Sequence, residues 1–449
     1  MTQPSEFDPR EFGAKGDGVA LDTAALQATI DAAGKAGGRV VVPAGTFLTG
    51  ALFLTSGMEF HLGPGAVLAA ATADEHYPTV FSRVAGIEMD GPAALLNAFE
   101  AHHLRITGPG SIDGRGQFWW DRYWGPDGKG GLRAEYDTRR LRWAADYDVR
   151  RPRILLVHES TDVLIEGLTI RRSPFWTVHL CYSRDVRVDG VTIVDSYGPS
   201  TDGIDIDSCE RVLVENCTIA CGDDNIVLKS GRDADGLRVG RVCADVEIRN
   251  CRILAGLGLA FGSDLSGGIR NVRIHDCEFA GTDYGFRIKS SRARSGFVRD
   301  VTFTDITMRD VAFPFSWALN WYPWFNTIQL PEDHNGEIPP SWRVLAQPTP
   351  PDAPLTAVED IVVRNVRAEL TPRYDGPSRA FDLDGYPENP MRNIRFDHVS
   401  VSAREFGKIV AVSGLRFDDV TLSVERDVDP DNDLYDHRTH HQWRTGLPG

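Results

Sequence analysis

No stretch of this chain approaches the ~20 consecutive apolar residues that a membrane-spanning helix needs. None of its seven cysteines is spaced CxxC, and seven is an odd number. Free thiols in a reducing compartment are therefore expected, rather than a metal ribbon or a disulfide framework. Positive charge is scarce: 48 Lys and Arg against 64 Asp and Glu leave a formal net charge of −16. That balance argues against a nucleic-acid protein, whose footprint is a basic stripe. Any anionic substrate would have to be met by a few local cations. The glycine-rich GAKGDG at 13–18 lacks the GK[ST] ending of a phosphate loop and reads as a turn. The opening MTQPSEFDPREF lacks a basic segment followed by an apolar one, so a cytoplasmic protein without membrane contact is expected; the alternative is a secreted protein whose signal has been removed. The cysteines are not expected to form a metal site either.

What the chain does have is the composition of a globular protein. Of its 449 residues 42% are hydrophobic and 25% charged, and 44 Gly with 26 Pro promise many turns. Internal repetition dominates the organisation. Segments of one type begin at Val163, Val186, Val212, Val246, Val272, Val301, Ile361, Ile394 and Leu415. Their spacings are 23, 26, 34, 26, 29, 60, 33 and 21 residues. Each alternates apolar and polar residues, then has Gly, Asn, Asp or His, then a further apolar residue. Alternation of period two is a strand with one buried face. The Gly/Asn/Asp position suits a bend at positive φ. Such rungs are too short to fold alone and too uneven for a propeller.

The pattern predicts an all-β fold, a right-handed parallel β-helix of about ten coils. One domain spans 1–449, with a cap region at 1–50, coils over 51–425 and a tail at 426–449. Cys217, Cys251 and Cys277 share a repeat position with Leu168, Val191 and Ile306, and are expected to stack inside as apolar fillers. Residues Asp22–Ala33 predict a short capping helix over the open first coil, ended by Gly34 to Gly38. Two stretches break the rhythm. Gln117 to Arg153 holds Trp119, Trp120, Tyr123, Trp124, Trp143 and, between Arg139 and Arg153, six arginines; Phe313 to Leu355 holds Trp317, Trp321, Tyr322, Trp324 and Trp342. Long aromatic loops of this kind either bind sugar rings or pack on one another. The tail carries Asp436-His-Arg-Thr-His-His441, read as flexible.

A second repeated segment carries the chemistry. Five copies align without gaps from Trp176, Asp202, Asp224, Leu257 and Tyr284. Their third and fifth residues are predicted to point inward, and their fourth and sixth outward. Asp202 and Asp224 then sit on adjacent rungs, about 4.8 Å apart, with Asp223 beside Asp224. Arg287 and Lys289 share the outward face two rungs further on. Clustered carboxylates repel, so one pKa rises and one group can hold a proton at neutral pH. An acid and a base flanking a glycosidic bond are what glycoside hydrolysis needs. Solvated aspartates at turns are the plain alternative, and Asp205 and Asp207 fit that description.

The motifs Thr201-Asp-Gly203, Gly222-Asp-Asp224, Gly256-Leu-Gly258 and Arg287-Ile-Lys289 stand in one order along the chain. With Phe12–Gly18, Pro43–Phe47 and Ser173–Trp176, they make the chain resemble the polygalacturonases of glycoside hydrolase family 28, over roughly residues 8 to 425. The resemblance implies a right-handed parallel β-helix and inverting hydrolysis without a cofactor. It implies that Asp223 is the general acid and that Asp202 and Asp224 hold and deprotonate the attacking water. Arg287 and Lys289 would bind a galacturonate carboxylate, with Lys229, Leu257 and Tyr284 lining the substrate groove. The sequence departs from the family at Ser200, where Asn is usual, and at Leu257, where the active-site His is usual. Leu257 predicts an apolar wall that raises the pKa of Asp224 and favours a less polar sugar face. The substrate expected is an acidic, pectin-derived oligosaccharide, cleaved by exo action. The alternatives are a rhamnogalacturonan or other drifted-substrate hydrolase, a non-catalytic glycan-binding β-helix, and a calcium-dependent lyase.

Overall fold

The computed structural model describes residues 5–322, 326 and 328–426. Trp324 and the histidine-containing tail lie outside these residues. The nine repeats form one parallel sheet in the expected register. Val163 pairs with Val186, Val186 with Val212, Val212 with Val246, and so on through Val272, Val301, Ile361 and Ile394. The bend residue of each repeat is left-handed, from Gly167 at φ 75° to Asn365 and Asp419 at 52°. Gly reaches this region at no steric cost, and Asn and Asp at little, which explains the composition of the column.

Among the described residues this sheet continues through thirteen strands, from Glu6–Phe7 to Arg416–Arg426. Pairing thus begins within the stretch expected to be only a cap, because the first strands lack the repeat motif. Two further parallel sheets complete the coils. One runs from Asp17–Leu21 through Thr192–Ser196 to Arg252–Leu254, which pairs on with the second half of the long strand Ile269–Ala280. The other, the site sheet, runs from Leu52–Leu54 through Ile204–Asp207 to Arg379–Asp384, which pairs on with the second half of Met391–Val410. The coil is the right-handed parallel β-helix that the repeats predict.

The interior is a stack of Val, Ile, Leu and Phe, each contributing about 1.5–3 kcal/mol by leaving water. Cys217, Cys251 and Cys277 are part of it, and all seven cysteines are buried free thiols. Helix α1 (Thr23–Ala36) covers the first coil with Leu26, Thr29, Ile30 and Ala33. It runs past Gly34, and Gly37 in the left-handed region ends it. Asp22 does not cap it by a side-chain bond. Its carboxylate instead accepts the amides of Lys15 (2.7 Å) and Gly16 (2.9 Å), which fastens the GAKGDG turn.

The two aromatic loops pack on each other. The first folds as helices Gln117–Trp124 and Gly131–Thr138 and short turns to Asp148. Trp143 meets Trp342 of the second edge-on, with ring centroids 5.2 Å apart, and the Trp342 indole donates to Asp148. A hairpin of Thr79–Val84 and Ile87–Pro92 joins them: Tyr147 donates to the Ala85 carbonyl at 2.8 Å. This layer covers the outward face of the site sheet on one side.

Candidate active site

The gapless alignment is the register of the site sheet. Val178, Ile204, Ile226, Leu259 and Phe286 pair in succession, and all five lie in the coil core. Trp176, Asp202, Asp224, Leu257 and Tyr284 therefore precede equivalent rungs. Local bonds fix these turns. The amide of Gly222 donates to Thr201 Oγ1 at 3.2 Å, stapling the TDG turn to the GDD turn one coil on. Gly222 has no room for a side chain: a Cβ would stand 2.8 Å from both Gly198 O and Thr201 Oγ1. Asn225 accepts the Gly258 amide at 2.8 Å and donates to the Ala255 carbonyl at 2.7 Å, which holds the Gly256–Gly258 turn. Ser200 sits at φ 54°, a left-handed position that Asn tolerates better, which accounts for the residue usual there.

One carboxylate oxygen from each of Asp202, Asp223 and Asp224 lies within 4.8 Å of the other two. Asp202 and Asp224 are buried, at 3% and 1% exposure, while Asp223 is partly exposed. Lys289 donates to Asp224 Oδ2 at 2.5 Å, and Arg287 Nη1 lies 3.6 Å from Asp224 Oδ1. The cations expected two rungs away thus reach back to the acid, because their long side chains span the rungs between. Arg287 stacks on the Tyr284 ring at 3.9 Å, and the Trp321 ring stands 5.8 Å from Arg287 and 5.2 Å from Lys289. Lys229 Nζ lies 3.4 Å from Asp202 and 3.5 Å from Asp205, with the Trp176 ring 4.6 Å away.

These contacts set the charges. Burial pushes Asp202 well above the usual carboxylate range, and the charges of Asp205 and Asp223 add to it. Burial would raise Asp224 too, but Lys289, Arg287 and Lys229 outweigh it and hold its pKa low. The expectation that Leu257 would raise Asp224 is therefore overturned. Leu257 does stay out of the coil core. It packs in a small cluster with Tyr284, Ala312 and Phe313, and an apolar neighbour cannot offset three cations.

All eight residues singled out in the sequence come together: Asp202, Asp223, Asp224, Lys229, Leu257, Tyr284, Arg287 and Lys289. Asp205 and Asp207 correct the sequence reading. Neither is solvated; both are fully buried on the covered outward face. Asp207 binds Arg83 of the hairpin at 2.6 Å, which holds its pKa down against the cost of burial. Burial pushes His179, beside it, down to about 4. Trp176 and Trp321 complete the site and were not among the predicted site residues. Trp176 opens the aligned column, which was a usable signal; Trp321 arrives on a loop, and only its aromatic surroundings pointed to it.

The family model for glycosyl hydrolases family 28 matches residues 35–331. The chain belongs to that family. It is accordingly a glycosidase, built on a β-helix that places acids and cations on one outward face. A second model, rhamnogalacturonase A/epimerase, pectate lyase-like, matches residues 8–61. A "Probable polygalacturonase" of Vitis vinifera is 30% identical over 404 residues, covering 87% of this chain and 73% of the relative. An exo-poly-alpha-D-galacturonosidase of Dickeya chrysanthemi is 27% identical over 341 residues, covering 69% of this chain and 56% of that one. Among solved structures, a hyperthermoactive exopolygalacturonase from Thermotoga maritima superposes with a TM-score of 0.76 at 26% identity, covering 94% of each chain. Among the described residues of this family 28 chain, no helix is long and apolar enough to cross a membrane.

Proposed function

We propose that this glycosidase removes α-linked galacturonate from the ends of pectin-derived oligosaccharides by inverting hydrolysis. The observation that carries the reading is the partly exposed Asp223 standing against two buried acids, Asp202 raised by burial and Asp224 held ionised by cations. Asp223 reaches the substrate side and protonates the leaving oxygen. Asp224 is held ionised, and its Oδ1 accepts no hydrogen bond from any described residue. With a water admitted beside it, that buried oxygen would orient the water and take its proton, with Asp202 as the second contact. The carboxylate separations are shorter than the about 6.5–9.5 Å usual for inverting pairs. A covalent route is nevertheless disfavoured: the ionised Asp224 is clamped by Lys289, and Asp202 lies against Lys229. Arg287 and Lys289, beside the acids, suit a uronate carboxylate.

Exo action is supported by the names of the Dickeya and Thermotoga proteins. It is also supported by the covering layer, which walls the outward face on one side. Exo action on an acidic oligosaccharide needs no cofactor in this scheme. The test is incubation with defined oligogalacturonates, followed by chromatography and proton NMR of the first product. Release of monomer or dimer with inverted anomeric configuration is expected. An unsaturated product, internal cleavage, or retained configuration would each overturn the corresponding part.

A further inference from the structure

The mechanism above leaves one buried carboxyl without a task. Asp205 is fully buried, and neither of its oxygens accepts a hydrogen bond from a nitrogen or hydroxyl donor among the described residues. Among the described residues it shares a single directly contacting cation with Asp202, and one cation can neutralise only one of two ionised carboxylates. The Lys229 ammonium stands between them, 3.4 Å from one and 3.5 Å from the other. Two acids with one proton and one ammonium form a neutral buried group; without the proton it would carry an unbalanced charge away from water.

We infer that Asp205 is a positioning residue for the hydrolysis, sharing one proton with Asp202 across Lys229 and so setting the charge that Asp202 presents to the attacking water. The inference rests on the proposed role of Asp202. Burial supports it by raising both acids, Asp205 to about 7. The proton belongs to the pair, which titrates as one coupled unit.

Other groups face this pair from every side. Asp223 and Asp224 stand beyond Asp202, and Asp264 acts on Lys229. Arg153, beside the strand Leu155–His158 two rungs back, acts on Asp205, and Arg151 acts on Asp202. On the strand between, Val178–Cys181, His179 is in register with Asp205, but burial keeps it neutral above about pH 4. Asp207, on the same strand as Asp205, is neutralised by Arg83. Lys229 is the cation in direct contact with both acids of the pair.

The signs of two substitutions follow. Asp205→Asn keeps the shape of the protonated acid and removes its charge, so Asp202 ionises more easily. Lys229→Gln removes the ammonium, so Asp202 ionises less easily. The kcat/KM pH profile on oligogalacturonate reads both. The limb reporting Asp202 is expected to move about one pH unit or more to lower pH in Asp205→Asn. It moves to higher pH in Lys229→Gln. Unmoved limbs with a uniform loss of rate would overturn the inference, since a merely structural role lowers activity at every pH alike. Shifts of both limbs in the same direction would overturn it too. Should Lys229→Gln not fold, infrared spectroscopy supplies a second reading in an Asp223→Asn background. A protonated-carboxyl band near neutral pH, lost on adding Asp205→Asn, is expected; its persistence overturns the inference. If the proposed hydrolysis itself is wrong, the wild type shows no oligogalacturonate turnover, a distinct outcome.

Discussion

Replacing Asp223 by Asn separates the acid from everything else at the site. The substitution is structurally mild. Asp223 Oδ1 accepts the Asp224 amide at 2.9 Å, and an asparagine oxygen can accept the same bond. The Asp223 carbonyl, which receives the Leu257 amide at 2.8 Å, is untouched. The side chain is partly exposed, so no cavity opens. What is lost is a transferable proton. General acid catalysis is worth roughly 10²–10⁴-fold, which is about 2.7–5.4 kcal/mol of barrier. On an oligogalacturonate, release of reducing ends should fall by that factor with the melting temperature unchanged. On a galacturonide carrying a nitrophenolate leaving group, which departs without protonation, the loss should shrink to a few-fold. Wild-type rates on the natural linkage would refute the role. So would equal losses on the two substrates, which would mean general damage to the site.

Two further outcomes are expected. Arg287→Ala and Lys289→Ala should each lower kcat/KM on oligogalacturonate by about 10- to 150-fold, the worth of a charge-assisted bond of about 1.5–3 kcal/mol. Methyl-esterified substrate should narrow the gap between wild type and variants, and equal losses on both substrates would remove the carboxylate from the argument. Asp146 tests acid stability away from the catalytic acids. Burial would raise it, but Arg142 and Arg151, each at 3.0 Å, and the Tyr123 hydroxyl at 2.7 Å hold it at about 2. Its folded pKa lies below the unfolded value, so its contribution of about 2–3 kcal/mol is complete above about pH 5 and fades as pH falls toward 2. Thermal unfolding of Asp146→Asn should therefore lag the wild type at pH 6 and approach it near pH 2; a gap independent of pH would refute the assignment.

The coil was legible because its determinants are local and periodic. Alternating residues fixed the strand faces, and a Gly, Asn, Asp or His marked each left-handed bend from Gly167 to Asp419. The register of the site sheet could be read in the same way, from five aligned segments. What could not be read is what the loops place over that sheet. Nothing near Asp207 in the chain announces that Arg83, 124 residues away, will cover it. Likewise, strand spacing puts Lys289 two rungs from Asp224, but the reach of a lysine side chain closes that gap. Charge at the site followed from those contacts, so the expected effect of Leu257 on Asp224 had the wrong sign. Its own placement, outside the core and beside Tyr284, did follow from the alignment.

The stacked register makes this molecule a ruler graduated in rungs. Adjacent strands stand about 4.8 Å apart, so the separation of two groups on the site sheet changes only in whole steps. The bends between strands are not so constrained, as the 60 residues from Val301 to Ile361 demonstrate. Insertions there lengthen a wall without shifting a graduation. A lineage built on this coil can therefore remodel the mouth of its groove freely, while the spacing of its acids stays fixed. Altering that spacing requires adding or deleting an entire turn of the solenoid, with its share of the core.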